Sequence, residues 1–287
     1  MTDRRSFLHL SALAAAAGCV LRSNPAFAFA GPGEMRYGLQ LYMVRRQIPA
    51  DLPGVLKAIR QVGCTEVELF PDVYNHSPAE LKKIVADAGL TAPSGHFEYA
   101  SLEDKVDYAH ALGLKFMVCP AVPKEQWGSL AGFQQAAAKF NRVGEKCRAA
   151  GMEFCFHNHC YEFRPMDGTT GFDELMKHSD PNLVKLEFDI FWLAQAGQDP
   201  MAMIKKHSNR LRLVHMKDRI AGSPIGYDME AAKGFTELGK GSLNWPALLA
   251  QAKSQGVRHA FLDQDETSGP VMESLRENFD YLKTVKV

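Results

Sequence analysis

The chain lacks a net charge. Across 287 residues, 33 Lys and Arg balance 33 Asp and Glu. Without a basic surplus or a charged tail, a nucleic-acid partner is not expected. No Cys-x-x-Cys pair occurs, which removes the usual frame of a structural zinc site. The six cysteines are Cys19, Cys64, Cys119, Cys147, Cys155 and Cys160. One stands in the N-terminal segment, and the remaining five are odd in number and mostly set in apolar runs. They read as small buried hydrophobes, not as a disulfide framework. No glycine-rich loop follows the first strand-like run, which counts against an open nucleotide-binding sheet. The apolar run "SALAAAAGCVL" is too short to span a bilayer.

What stands at the N-terminus is a different signal. Arg4 and Arg5 precede Ser6, Phe7 and Leu8, then comes that apolar run, then Pro25 and the small-residue pattern "AFAFA". An n-region, an h-region and an A-x-A site in this order predict a cleaved export peptide over residues 1–30. The paired arginines resemble a twin-arginine signal, with cleavage after Ala28 or Ala30 and a periplasmic destination. Acylation at Cys19, giving a lipoprotein, is the alternative. The mature chain, residues 31–287, is expected to carry no membrane span.

From Met35 onward, short apolar runs ending in polar residues alternate with amphipathic segments. The runs are 36–44, 65–70, 90–97, 114–120, 152–159, 182–191, 210–218 and 258–265. The helix after the second run has Ser77 as N-cap, Pro78 at the first helical position and Gly89 at its stop. The helix after the third is predicted to start on a capping-box-like pair, Ser101 and Asp104. Eight strand–helix units in about 255 residues, with no linker between them, predict a single α/β (β/α)8 TIM barrel.

In such a barrel the chemistry lies at the C-terminal ends of the strands. The polar residues there are Gln40, Arg45, Glu68, His96, the His157/His159/Glu162 set, Asp189, His215, Lys217, Asp218, Asp263 and Asp265. Burying so many ionisable groups at one end of a core is costly unless something pairs with them. A divalent cation would do so. Mixed imidazole and carboxylate ligands suit Mn²⁺, Co²⁺, Zn²⁺ or Fe²⁺ better than Mg²⁺ or Ca²⁺. Taken singly, each group also has a plain structural role: a hydrogen-bonded His pair, a helix N-cap at Asp189, a loop carboxylate at Asp263.

Seven stretches together resemble the xylose isomerase-like TIM-barrel superfamily, the sugar phosphate isomerase/epimerase group. They are "GLQLYMVR" (38–45), "VELF" (67–70), "HNHCYEF" (157–163), "LEFDIFWLAQAGQDP" (186–200), "LVHMKD" (213–218), "ELGKGSLNW" (237–245) and "FLDQDE" (261–266). Their order and spacing carry the resemblance over the whole mature chain. It implies one divalent metal held by residues of strands five to eight, usually Glu, Asp, His and Glu. By position these are His157, Asp189, His215 and Asp263. His157 stands where epimerases carry Glu, a departure shared by a subgroup with "HNHxxEF" after strand five. Asp263 stands where many relatives carry Glu.

A metal site of this kind supports proton abstraction next to a sugar carbonyl. The first expectation is isomerisation or epimerisation. The alternative is β-elimination, as in a keto-sugar dehydratase or 3-keto-glycoside lyase. Glu162 or His159 is the expected acid/base, and Lys217 the expected oxyanion stabiliser, unless it merely pairs with Asp218 or Glu187. Glu68, His96 and Trp192 are expected to bind the sugar. An exported enzyme is expected to meet a non-phosphorylated sugar or glycoside. A sugar-binding protein without catalysis is the remaining alternative, and nothing in the sequence sets an oligomeric state.

Overall fold

A computed structural model describes residues 33–287. The predicted export segment lies outside the described residues. The barrel strands are β1 (Arg36–Gln40), β2 (Glu66–Leu69), β3 (Thr91–His96), β4 (Phe116–Cys119), β5 (Glu153–His157), β6 (Val184–Asp189), β7 (Leu211–Met216) and β8 (His259–Leu262). They close in the order 1-8-7-6-5-4-3-2, every pair parallel. The principal helices are α1 (Ile48–Gln61), α2 (Pro78–Asp87), α3 (Val106–Leu112), α4 (Leu130–Ala149), α5 (Gly171–His178), α6 (Ile190–Gln195), α7 (Pro200–Lys206), α8 (Trp245–Ser254) and α9 (Val271–Leu282). The expected TIM barrel is therefore present. Among the described residues, no helix is long and apolar enough to cross a membrane.

Alternation along each strand sorts its residues. Phe116, Val118, Cys155, Leu213 and Phe261 form a separate apolar cluster that plugs the barrel centre. Gly38 makes room for it. A Cβ there would lie 2.5 Å from the Phe261 ring and 2.9 Å from the Glu66 carbonyl oxygen, so any larger residue would displace the plug. The outward residues meet the helices in one continuous core. All five cysteines in the described residues are buried and unpaired, as expected of small hydrophobes.

Local signals mostly hold. Ser77 and Glu80 close a reciprocal capping box at the start of α2, with Pro78 inside it. Gly113 ends α3 in the left-handed region, φ 83°, which a β-carbon disfavours. Three expectations fail. The first run, 36–44, forms a strand only as far as Gln40, and Leu41–Val44 make a 3₁₀ turn. Residues 99–104 form a 3₁₀ turn, and α3 begins only at Val106 with no side-chain cap, so Ser101 and Asp104 make no capping box. The sixth strand stops at Asp189, where the run was expected to continue to residue 191. Asp189 accepts from the Trp192 amide at 3.0 Å and starts α6 directly.

Candidate metal and acid–base site

Strand register decides which side chains meet. His157 at the end of β5 stands opposite Glu187, and Asp189, one layer higher on β6, stands opposite His215. The mouth of the barrel therefore carries two tiers of ionisable groups.

The lower tier centres on two buried carboxylates. Glu187 Oε2 lies 2.8 Å from His96 Nε2, 3.0 Å from His157 Nδ1 and 3.2 Å from His215 Nε2. Glu68 Oε2 lies 2.5 Å from His215 Nε2 and 3.2 Å from His96 Nε2, and accepts from Gln40 Nε2 at 2.8 Å. Burial and the neighbouring Glu68 push the Glu187 pKa up, yet the His215 and His157 imidazoles outweigh them and hold it at about 2. Burial works against ionising Glu68 too, but His96 and His215 bring it well below the usual carboxylate range. The same pairs act in reverse on His96. Burial would lower its pKa, and Glu68 with Glu187 raises it to about 9.

The upper tier holds the residues expected to bind metal. His157 turns Nε2 toward Asp189 Oδ2 at 3.8 Å, and His215 turns Nδ1 to Asp263 Oδ2 at 3.2 Å. Among the described residues, two groups of ligand atoms are close enough to hold an ion: Asp189, His215 and Asp263 above, and His96, His157, Glu187 and His215 below. The donor set fits a borderline divalent ion. Buried oxygens without partners remain on Glu68, Glu187 and Asp263, which a compact, fully paired network would not leave. The carboxylates below meet the imidazoles above through the second ring nitrogen, the arrangement that orients metal-binding histidines. The pKa of His157 is driven down by burial. It is therefore neutral, and with Nδ1–H donated to Glu187 its lone pair lies on Nε2, toward Asp189.

The other expected residues divide. His96 and His159 line a cavity of about 380 Å³ at the barrel mouth, together with His157 and Asp263. His159 Nδ1 is buried without a partner. Burial first, then Lys217, lowers its pKa to about 3, so the ring is neutral. Glu162 does not line that cavity. It is fully buried and accepts from the His159 backbone N–H at 2.9 Å, fixing the turn that carries His159. Burial raises its pKa to about 8.

Lys217 is also fully buried, with Nζ 3.0 Å from Asp189, 2.8 Å from Asp263 and 2.7 Å from Asp265. Three carboxylates surround its ammonium, so it balances their charge and has no donor directed at the cavity. Its partners are neither Asp218 nor Glu187. Asp218 instead accepts from the amides of Gly239, Gly241 and Leu243 and ties down the following loop. Trp192 is buried beneath Lys217 and beside His159, with ring centroids 5.4 Å apart. It backs the site and presents no open face to a sugar. Glu68 likewise sits beneath the cavity.

Sequence reasoning named Glu187 only as a possible partner of Lys217, although the lower tier is built on it. The signal was present: a Glu two residues before Asp189 on a strand must share the inward face.

The fold is a TIM barrel whose strand ends carry a candidate metal site. A family model for the xylose isomerase-like TIM barrel matches residues 56–285, and the chain belongs to that family. An inosose dehydratase from Lacticaseibacillus casei is 28% identical over 145 residues, 45% of this chain and 46% of that protein. The match thus spans about half of that relative. An inosose dehydratase from Clostridium botulinum is 26% identical over 205 residues, 62% of this chain and 67% of that protein. A solved structure of a sugar phosphate isomerase/epimerase from Parabacteroides distasonis aligns with a TM-score of 0.72 at 26% identity, covering 90% of this chain and 98% of that one.

Proposed function

We propose that this chain is a divalent-metal-dependent lyase that eliminates a β-oxygen from a keto sugar or keto-glycoside. The observation that carries the reading is two imidazoles held in different surroundings on one cavity wall. His159 has a buried ring nitrogen without a partner, and His96 sits between the carboxylates of Glu68 and Glu187. Titratable groups whose surroundings push them apart make an acid–base pair. The inosose dehydratase relatives support elimination over simple isomerisation.

His157 Nε2, Asp189, His215 Nδ1 and Asp263 would hold the ion. Mn²⁺, Co²⁺, Zn²⁺ or Fe²⁺ suits them better than Mg²⁺. When bound, such an ion polarises the sugar carbonyl and acidifies the neighbouring C–H. His159 takes that proton. The electron pair left on carbon forms the new C=C as the β C–O bond breaks. His96 gives its proton to the departing oxygen. The products are an α,β-unsaturated ketone and water or an alcohol. Glu162 acts as a positioning residue, through the His159 amide.

The test uses enzyme loaded with Mn²⁺ and 4-nitrophenyl 3-keto-glucoside. The expected result is release of 4-nitrophenol with appearance of enone absorbance, lost in His159→Ala. Deuterium uptake next to the carbonyl without leaving-group release would establish isomerisation or epimerisation instead, the reading the Parabacteroides relative favours. Neither result, with metal bound, would leave the sugar-binding alternative. The periplasm is the proposed location, and recovery of the uncleaved chain in the cytoplasm alone would overturn it.

A further inference from the structure

We propose that the mouth of the cavity is a subsite for an uncharged ring, the aglycone or second sugar of a neutral glycoside, stacked on Tyr42. The proposal rests on the lyase reading for the identity of the reacting sugar, but its evidence is separate. Tyr42 lines the cavity, yet is 41% exposed, unusual for a large aromatic in this chain. Its orientation is fixed. Phe70 meets it edge-on at 6.1 Å, and the Arg45 guanidinium covers its ring at 4.0 Å. With Arg45 on one face, the exposed remainder of this held ring is the stacking platform.

The charge around it selects against phosphate. Asp72, Glu98, Asp263 and Asp265 line the cavity, and among the lining residues there is no Lys or Arg. The cationic groups nearby are engaged: His96 by Glu68 and Glu187, Lys217 by three carboxylates, Arg45 by the Asp265 carbonyl and Glu266, and Arg46 by Glu266. A sugar phosphate would bring a dianion beside these carboxylates with no bidentate partner to receive it. A neutral glycoside would place hydroxyls against the acids and its ring on Tyr42.

The experiment measures binding to the Mn²⁺-loaded full chain by calorimetry, using non-reacting probes: glucose, glucose 6-phosphate and 4-nitrophenyl glucoside. The aryl glucoside is expected to bind about two- to tenfold tighter than glucose. Glucose 6-phosphate is expected to bind more weakly than glucose. Tyr42→Ala should erase the aryl advantage, and Tyr42→Phe should keep it. Two results would overturn the proposal: glucose 6-phosphate binding as tightly as glucose, or an aryl advantage that survives in Tyr42→Ala. Because no probe is turned over, the outcome does not depend on whether elimination occurs.

Discussion

The two ends of the barrel use the same residue types for different ends. At the floor, Glu66 on β2 takes Arg36 at 3.0 Å on one oxygen and His259 at 2.7 Å on the other. Both of its oxygens are satisfied. Two residues along the same strand and the same face, Glu68 at the mouth shares one oxygen with Gln40, His96 and His215 and leaves the other bare. Between them lies the apolar plug. A carboxylate–histidine pair is thus no sign of function by itself. What marks the mouth is surplus: several anionic groups, four imidazoles and buried carboxylate oxygens without partners, gathered at a cavity.

The comparison can be broken most sharply at His215. His215→Ala is expected to weaken Mn²⁺ or Co²⁺ binding by more than about 100-fold, beyond what changes outside the ligand sphere produce. Isothermal titration reads this directly, and full metal retention would dissolve the distinction between the ends. Glu187→Gln keeps the shape but loses the charge that orients His157. A fall in metal affinity of about 10- to 100-fold is expected, with the fold intact by circular dichroism.

The converse change lies at the floor. Glu66→Ala leaves Arg36 and His259 without their partner and should cost about 1–3 kcal/mol of stability in urea unfolding. Metal affinity should not move. Loss of metal in that variant would show that the ends are coupled.

The smallest effect is expected at His207, just before β7 at the floor end. It is buried edge-on against Phe172 and Phe188. Burial, helped by Lys206 and Arg210, lowers its pKa to about 4. The unfolded chain therefore takes up the proton first, at about the free histidine value of 6.5. Its contribution to stability is fully present above that pH and is lost as pH falls toward 4. Replacing it by Gln should flatten the urea midpoint over that window. An unchanged slope would remove His207 as the cause.

Much of the candidate site was legible from strand ends alone. His157, Asp189, His215 and Asp263 each follow an apolar run, and barrel topology brings such ends together. Roles that depend on depth were not legible. Lys217, Trp192 and Glu162 share strands or turns with cavity residues, but each is buried by neighbours distant in sequence. Lys217 needs Asp263 and Asp265, 46 and 48 positions away, to be neutralised.

Periodicity and helix signals in the sequence by themselves determined eight strand–helix units, and with them the barrel and the end that carries the chemistry, because local hydrophobic alternation is read without knowing any partner. The tertiary structure alone decided which of the polar residues meet. Strand stagger put Glu187 opposite His157 and Asp189 opposite His215, and close packing decided which imidazoles face the cavity and which side chains merely support them. Those are relations between strands, and no single strand encodes them.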